Sequence, residues 1–285
     1  MVAYGLWGLL PLFFRLLHHV DPTEIVAQRI IWSLLLILAI LAARQGVGPF
    51  IAALREPKLV RPLSLSALLI AANWLTYVWA VNQGHVLAAS LGYFLNPLVN
   101  VALGVLVLKE KLRRPQLIAI GAAAIGVAIL AASAIATLWI SLSLAFSFAF
   151  YALVRKLTPV APMAGLGVET ALLAPVALAY LLWEAGHGGM GFGRDAGTSA
   201  LLILSGAVTT APLLLFAVAA QRLPMATLGL LQFMAPTLQF LCGVLIFGET
   251  LSAGQMLSFG LIWVGLILFA SDGIARARRS RLATA

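Results

Sequence analysis

The sequence predicts an all-α integral membrane protein of ten transmembrane helices, arranged as two inverted five-helix repeats. Three observations carry this expectation. Hydrophobic residues fill 62% of the 285 positions and charged residues only 9%, whereas a soluble domain that must meet water carries about 25% charge. The apolar residues come in runs long enough to cross a bilayer. A stretch of the first half also returns, in register, in the second.

Runs of about 20 apolar residues bounded by charge, Pro or Gly give ten segments: 2–18, 24–43, 63–82, 86–108, 115–134, 137–155, 163–183, 198–220, 224–247 and 253–271. The first has neither a basic leading region nor a small-residue cleavage site, so it reads as a retained helix and not a removable signal peptide. It holds only about 17 residues before His18, the lower limit for a hydrocarbon core about 30 Å thick. The first helix is therefore either short or begins upstream of Met1. Most links are brief and force antiparallel neighbours. The two longer ones, 44–62 and 184–197, contain Gly, Pro and charge and read as surface loops.

Lys and Arg set the orientation. With a cytoplasmic amino terminus, fifteen of the eighteen cations fall inside, among them Arg44, Arg55, Lys58, Arg61, Lys109, Lys111, Arg113, Arg114, Arg155, Lys156 and Arg222. Only Arg15 and Arg194 fall outside, and Arg29 lies within a helix. Both termini are then cytoplasmic, and the net charge of +9 faces the anionic inner leaflet. The cations sit between apolar runs and not on one amphipathic face, which argues against nucleic acid as a partner.

The segment from Pro97 to Leu112 aligns with that from Pro236 to Leu251, matching proline, glycine, Val-Leu, glutamate and leucine at one offset of 139. The offset continues through Gln116 with Gln255, Gly121 with Gly260 and Gly126 with Gly265, and Ser90-Leu91-Gly92 meets Thr227-Leu228-Gly229 after a two-residue shift. Residues 1–134 and 135–271 are thus the repeats, and 272–285 is a basic cytoplasmic tail. Five crossings per repeat make the second half enter from the opposite side. The link at Glu110 carries four cations and the link at Glu249 none, which agrees. Inverted repeats place a site near the bilayer midplane and permit two related conformations, so alternating access is the expected activity.

Other chemistries find little support. The lone cysteine, Cys242, gives no disulfide framework, and His18, His19, His85 and His187 lack metal-ligand spacing, so neither a metal nor another cofactor is expected. No P-loop string occurs, which points to transport driven by gradients. A lipid scramblase or flippase is the alternative reading. A membrane-embedded enzyme ranks lower, because no His, Asp or Lys accompanies a Ser or Thr within a helix.

Several strings resemble a known family. They are Gly5-Leu6-Trp7-Gly8, Arg29-Ile30-Ile31-Trp32-Ser33, Asn73-Trp74 through Asn82, Ala89 through Asn100, Ala145 through Tyr151 with Arg155-Lys156, Glu169-Thr170, Ser205-Gly206, Val208 through Leu213, and Gln232-Phe233 with Pro236-Thr237. Together they resemble the RarD branch of the EamA-type permeases, in the drug/metabolite transporter superfamily. The resemblance implies a ten-helix fold in a bacterial inner membrane with a central cavity. It also implies a permease for a small-molecule substrate, read as an exporter of small metabolites or amphipathic drugs such as chloramphenicol-like compounds. It adds Tyr151 to the pathway and Pro212 to the helix breaks. A homodimer stays open. Relatives carry a short polar segment before the first helix that this sequence lacks.

Charges in a bilayer cost about 2.5–3.5 kcal/mol on insertion scales and turn toward the bundle interior. Arg29 and Glu169 fall at equivalent points of the two repeats. They are expected to face each other across the cavity, Arg29 drawing an anionic group and Glu169 taking a proton or a cationic group. A permanent ion pair between them is the competing reading. Trp74 and Tyr77 share one helical face with Asn73 beside it, which suits flat or amphipathic solutes, while Trp79 reads as part of an interfacial belt. Tyr93, Asn96 and Asn100 flank Pro97, and Gln232 and Gln239 flank Pro236. Proline frees a carbonyl, so two broken helices lined with amides are expected along the pathway. Interhelical hydrogen bonding is the plainer role for Asn100 and Gln239. Glu110 and Glu249 are expected as caps or hinges.

Overall fold

The computed structural model describes residues 1–44, 46–83, 85–132, 138–246, 254, 256–258, 260–265 and 267–268, and every regular element among them is an α-helix. The segment expected as one first helix is two, α1 (Val2–Gly8) and α2 (Leu10–Leu16), parted at Leu9. Proline at position 11 brings no N–H to an intrahelical bond, which accounts for the split. α3 (Pro22–Ala43) starts where Asp21 accepts the N–H groups of Thr23 at 2.8 Å and Glu24 at 3.4 Å. Pro22 at the first helical position suits that start.

The segment 44–62, expected as a surface loop, holds a helix, α4 (Val47–Arg55), and the start of α5 (Pro57–Asn82). Phe50 and Ala53 of α4 are buried. They lie three apart on one helical face, a signal too brief to read beside so many charges. α6 (Val86–Leu106), α7 (Arg114–Ala132) and α8 (Leu138–Leu157) follow. α9 (Pro162–His187) ends at Gly188, whose φ of 74° is the left-handed turn that glycine makes most readily. α10 (Ala196–Arg222) begins at Asp195, which accepts the Thr198 N–H at 2.7 Å. Hydrogen bonds from the Thr198 backbone and side chain hold the Asp195 carboxyl below its usual range.

The expected helix over 224–247 is also two, α11 (Met225–Gln232) and α12 (Met234–Leu245), interrupted at Phe233 three residues before Pro236. Pro97 lies inside α6 and Pro212 inside α10, and both helices continue past them. The breaks expected at these two prolines are therefore absent. A buried helix tolerates one missing bond where neighbouring groups satisfy the freed carbonyl. The last described helical residues are Ile267 and Leu268, just past the apolar stretch Met256–Gly265. Glu249, Gln255 and the basic segment 272–285 lie outside the described residues.

Among the described residues five helices, α3, α5, α8, α9 and α10, are long and apolar enough to cross a membrane, and shorter apolar stretches accompany them. Their packing is a swapped pattern: α3 lies on α9 and α10, α5 on α8 and α9, α6 on α8 and α11, and α1 on α10 and α12. Gly126 of α7 abuts Ser258 and Ile262, while Gly265 abuts Ala119 and Ala123 of α7. A Cβ on Gly126 would lie 2.6 Å from the Ser258 carbonyl oxygen, and one on Gly265 2.6 Å from that of Ala119. At the offset of 139 each contact is the image of the other. Rising numbers on α7 meet falling numbers opposite, so the two segments run antiparallel.

One end of the bundle is where α3 and α10 begin. There Glu24 accepts the backbone N–H groups of Gly191 at 2.8 Å and Phe192 at 2.9 Å, and His19 bonds Thr198 at 2.9 Å. At the opposite end α5 and α9 begin, and buried Phe50, Leu63, Tyr151 and Leu166 belong to the largest apolar cluster.

Candidate functional site

Between these ends lies a cavity of about 760 Å³, counted with the open space at its mouth. Arg29, Asn73, Trp74, Tyr77, Tyr93, Asn96 and Gln232 line it, joined by Tyr4, Trp7, Leu10, Phe14, Phe148, Thr209, Leu213, Ala235 and Pro236. Arg29 sits in the second turn of α3 and Asn73, Trp74 and Tyr77 in the last turns of α5, which puts the cavity toward the end where α3 begins.

Arg29 is held from three sides. Its Nε donates to Thr209 Oγ1 at 2.8 Å, and its Cζ lies 4.8 Å from the centre of the Trp74 ring and 5.2 Å from that of Phe14. Rings facing a guanidinium attract it through their quadrupoles. Thr209 in turn donates to the Ser205 carbonyl at 2.7 Å, which fixes its hydroxyl as the acceptor. Asn73 donates to the Leu144 carbonyl and to Ser147 Oγ, both at 2.9 Å, joining α5 to α8. The rings of Tyr77 and Tyr93 stand 5.5 Å apart at 56°, forming one wall.

Amides join the first half to the second at α6 and α11. Asn100 donates through Nδ2 to Gln232 Oε1 and, at 3.4 Å, to Asn96 Oδ1. The two helices come this close because Gly229 of α11 faces the Pro97 carbonyl oxygen, which a Cβ there would approach to 2.6 Å. Asn100 is fully buried and does not line the cavity, whereas Asn96 and Gln232 do. The Gln239 side chain lies outside the described residues. Glu110, from the first half, accepts the N–H of Met225 at 2.8 Å and so caps α11.

Below the cavity Tyr4, Trp7, Phe148, Tyr151 and Phe216 pack into an aromatic cluster. Its ring centres stand 5.1 Å apart for Phe148 and Phe216, and 6.1 Å apart for the stacked Tyr151 and Phe216. Tyr151 belongs to this cluster and not to the cavity lining.

Glu169 does not meet Arg29. Its Oε1 accepts from Ser66 of α5 and lies 3.7 Å from Arg155 Nη1, so the ion pair the sequence suggested with Arg29 is made with Arg155 instead. The physical reason is helix position. Arg155 is the third residue from the end of α8 and fully buried, and its Nη2 donates to the Pro162 carbonyl at 3.0 Å. Counted as a loop cation in sequence, it is an interior one in the fold. Gly165 makes the room, since a Cβ there would stand 2.0 Å from Arg155 Nη1. Arg155 Nε and Nη1, Glu169 Oε2 and Tyr151 Oη are buried without a hydrogen-bond partner among the described residues.

The sequence reading passed over Arg155, Ser66, Thr209 and the cavity residues Tyr4, Phe14 and Phe148. One signal was available for Arg155, which follows Tyr151 by four positions and so shares its face of α8.

A helical membrane protein with a cavity lined by polar and aromatic side chains from both halves fits the class of membrane transporters. The profile of the EamA-like transporter family matches residues 1–132. Protein RarD of Streptomyces exfoliatus is 46% identical over 98% of this chain and 89% of its own, and Protein RarD of Escherichia coli (strain K12) is 41% identical over 98% and 95%. The chloramphenicol-sensitive protein RarD of Pseudomonas aeruginosa is 31% identical over 98% and 94%. A solved crystal structure, 21% identical, superposes with a TM-score of 0.72 over 94% of each chain and shares the fold. The chain belongs to the EamA-like transporter family, in its RarD branch.

Proposed function

We propose that the chain is an alternating-access secondary transporter that exports small metabolites or amphipathic drug-like solutes, with chloramphenicol-like compounds among the candidates. In this reading ten crossings form two inverted five-helix repeats in a bacterial inner membrane, with both termini cytoplasmic. The observation that carries it is the cavity itself, lined from α1, α2, α3, α5 and α6 of the first half and α8, α10, α11 and α12 of the second. The reciprocal, antiparallel contacts of Gly126 and Gly265 support a two-fold axis lying in the membrane plane. With the cation-rich links inside, the cavity faces outward, and the inner end is closed by the aromatic cluster and by the Ser66–Glu169 bond between the halves.

Glu169 is the proton-coupling candidate in this scheme. Its carboxylate is buried, one oxygen lacks a partner, and its bond to Ser66 crosses from one half to the other. Protonation would neutralise it and loosen the tie to Arg155. The test is solute efflux and uptake in proteoliposomes under an imposed pH gradient. The expected outcome is gradient-dependent flux in the wild type that no longer responds to the gradient in Glu169→Gln. Unchanged pH-dependent flux in that variant would remove Glu169 from coupling, and no flux of any solute across an amino-acid and drug panel would remove transport.

A further inference from the structure

We infer that the cavity is built for a flat organic monoanion, a carboxylate or like oxyanion on an aromatic or unsaturated body, with Arg29 as its anchor. The inference rests on the transport reading and names the cargo class for the same cavity.

Among the sixteen residues lining the cavity Arg29 alone carries charge, and no Asp or Glu is present. The carboxylate that could have neutralised it, Glu169, is engaged with Arg155 and Ser66 elsewhere. Arg29 is 6% exposed, and its one hydrogen bond is from Nε to Thr209. The N–H groups of both Nη atoms have no partner among the described residues. A buried guanidinium is costly unless paired, and aromatic rings compensate it only in part. Phe14 and Trp74 cover the guanidinium while its rim stays open, which is the geometry a carboxylate meets with two parallel bonds.

The neighbouring amides point the same way. Asn96 and Gln232 have committed their oxygens to Asn100 Nδ2, so each has N–H groups left to offer the cavity. Arg29, Asn96 and Gln232 thus bring N–H groups to the lining of a cavity that Trp74, Tyr77 and Tyr93 also line. Aromatic walls favour a planar solute, and the set of free donors favours one rich in acceptors. An ammonium group would find Arg29 repelling it and no carboxylate to receive it.

The test uses one ring with three charges: phenylacetate, phenylacetamide and phenethylamine. Each is titrated calorimetrically into the purified full-length chain in nanodiscs, and each is offered in proteoliposome counterflow. Phenylacetate is expected to bind about tenfold tighter than its amide, the margin of a charge-assisted over a neutral hydrogen-bonded contact. Phenethylamine should bind least. Arg29→Gln should erase the preference, and Arg29→Lys should retain part of it, because the charge stays while the two-pronged geometry goes. Thermal melting of both variants checks their fold, and the wild-type series decides the matter even if neither variant folds. Equal or tighter binding of amide or amine to the wild type, or no binding of phenylacetate at millimolar concentration, overturns the inference. Flux of neutral or cationic solutes in preference to phenylacetate does so too, while leaving transport intact. Arg29-dependent binding of phenylacetate with no counterflow would sustain the anion site and remove the transport reading.

Discussion

Arg155 and Glu169 are buried side by side, Nη1 and Oε1 3.7 Å apart, with atoms on both sides that have no hydrogen-bond partner among the described residues. Breaking a buried pair from one side is costly, on the order of 3–5 kcal/mol, because the remaining charge is stranded. Arg155→Met should therefore lower the melting temperature in detergent strongly, and the double variant Arg155→Met/Glu169→Gln should recover much of the loss. Gly165→Ala tests the same pocket sterically. Its Cβ would displace a guanidinium that has nowhere to go, with an expected cost of about 1–3 kcal/mol in the same melting measurement. Arg29 and Glu169 were legible in sequence because each interrupts an apolar run. Arg155 was not, because it stands beside Lys156 near the end of its run, where a buried cation and a loop cation look alike. Thr209 was hidden for the opposite reason, since a threonine in an apolar helix is unremarkable until an arginine from another helix is seen to reach it.

Proline acts on these helices according to what surrounds it. Pro11 and Pro236 lie close behind interruptions at Leu9 and Phe233, whereas α6 and α10 pass Pro97 and Pro212 intact. Hydropathy could therefore place each apolar segment but could not say which proline would divide one, since that depends on neighbours the chain meets only after folding. Pro236 lines the cavity beside Ala235. Restoring the missing N–H with Pro236→Ala should favour one continuous helix over α11 and α12, slowing counterflow several-fold while melting stays unchanged or rises. The α6–α11 contact is less forgiving. Gly229→Ala would drive a Cβ against the backbone oxygen of Pro97, separating Asn100 from Gln232. A loss of about 1–3 kcal/mol in melting together with most of the flux is expected.

At the scale of the whole molecule, the sequence offset of 139 is met again in the packing at Gly126 and Gly265, each lying against the segment that carries the other. The proposed inversion is checked by placing single cysteines at Lys111→Cys and Thr250→Cys in a chain with Cys242→Ala. An impermeant thiol reagent should label the first from the cytoplasmic side and the second from outside, and labelling from one common side would sink the inversion. The glycine contact has a further consequence. In the proposed cycle, exchanging the conformations of two halves related by an in-plane axis maps every contact onto its counterpart, and the contact of α7 with residues 258–265, made at Gly126 and again at Gly265, maps onto itself. It can stay closed throughout the cycle and serve as the pivot. The bond between Arg29 and Thr209 links α3 to α10, and the bond between Ser66 and Glu169 links the equivalent pair, α9 and α5, one helical turn out of register. Neither maps onto itself, so rocking about that pivot must treat them unequally, tightening one as it strains the other, like the two pans of a balance.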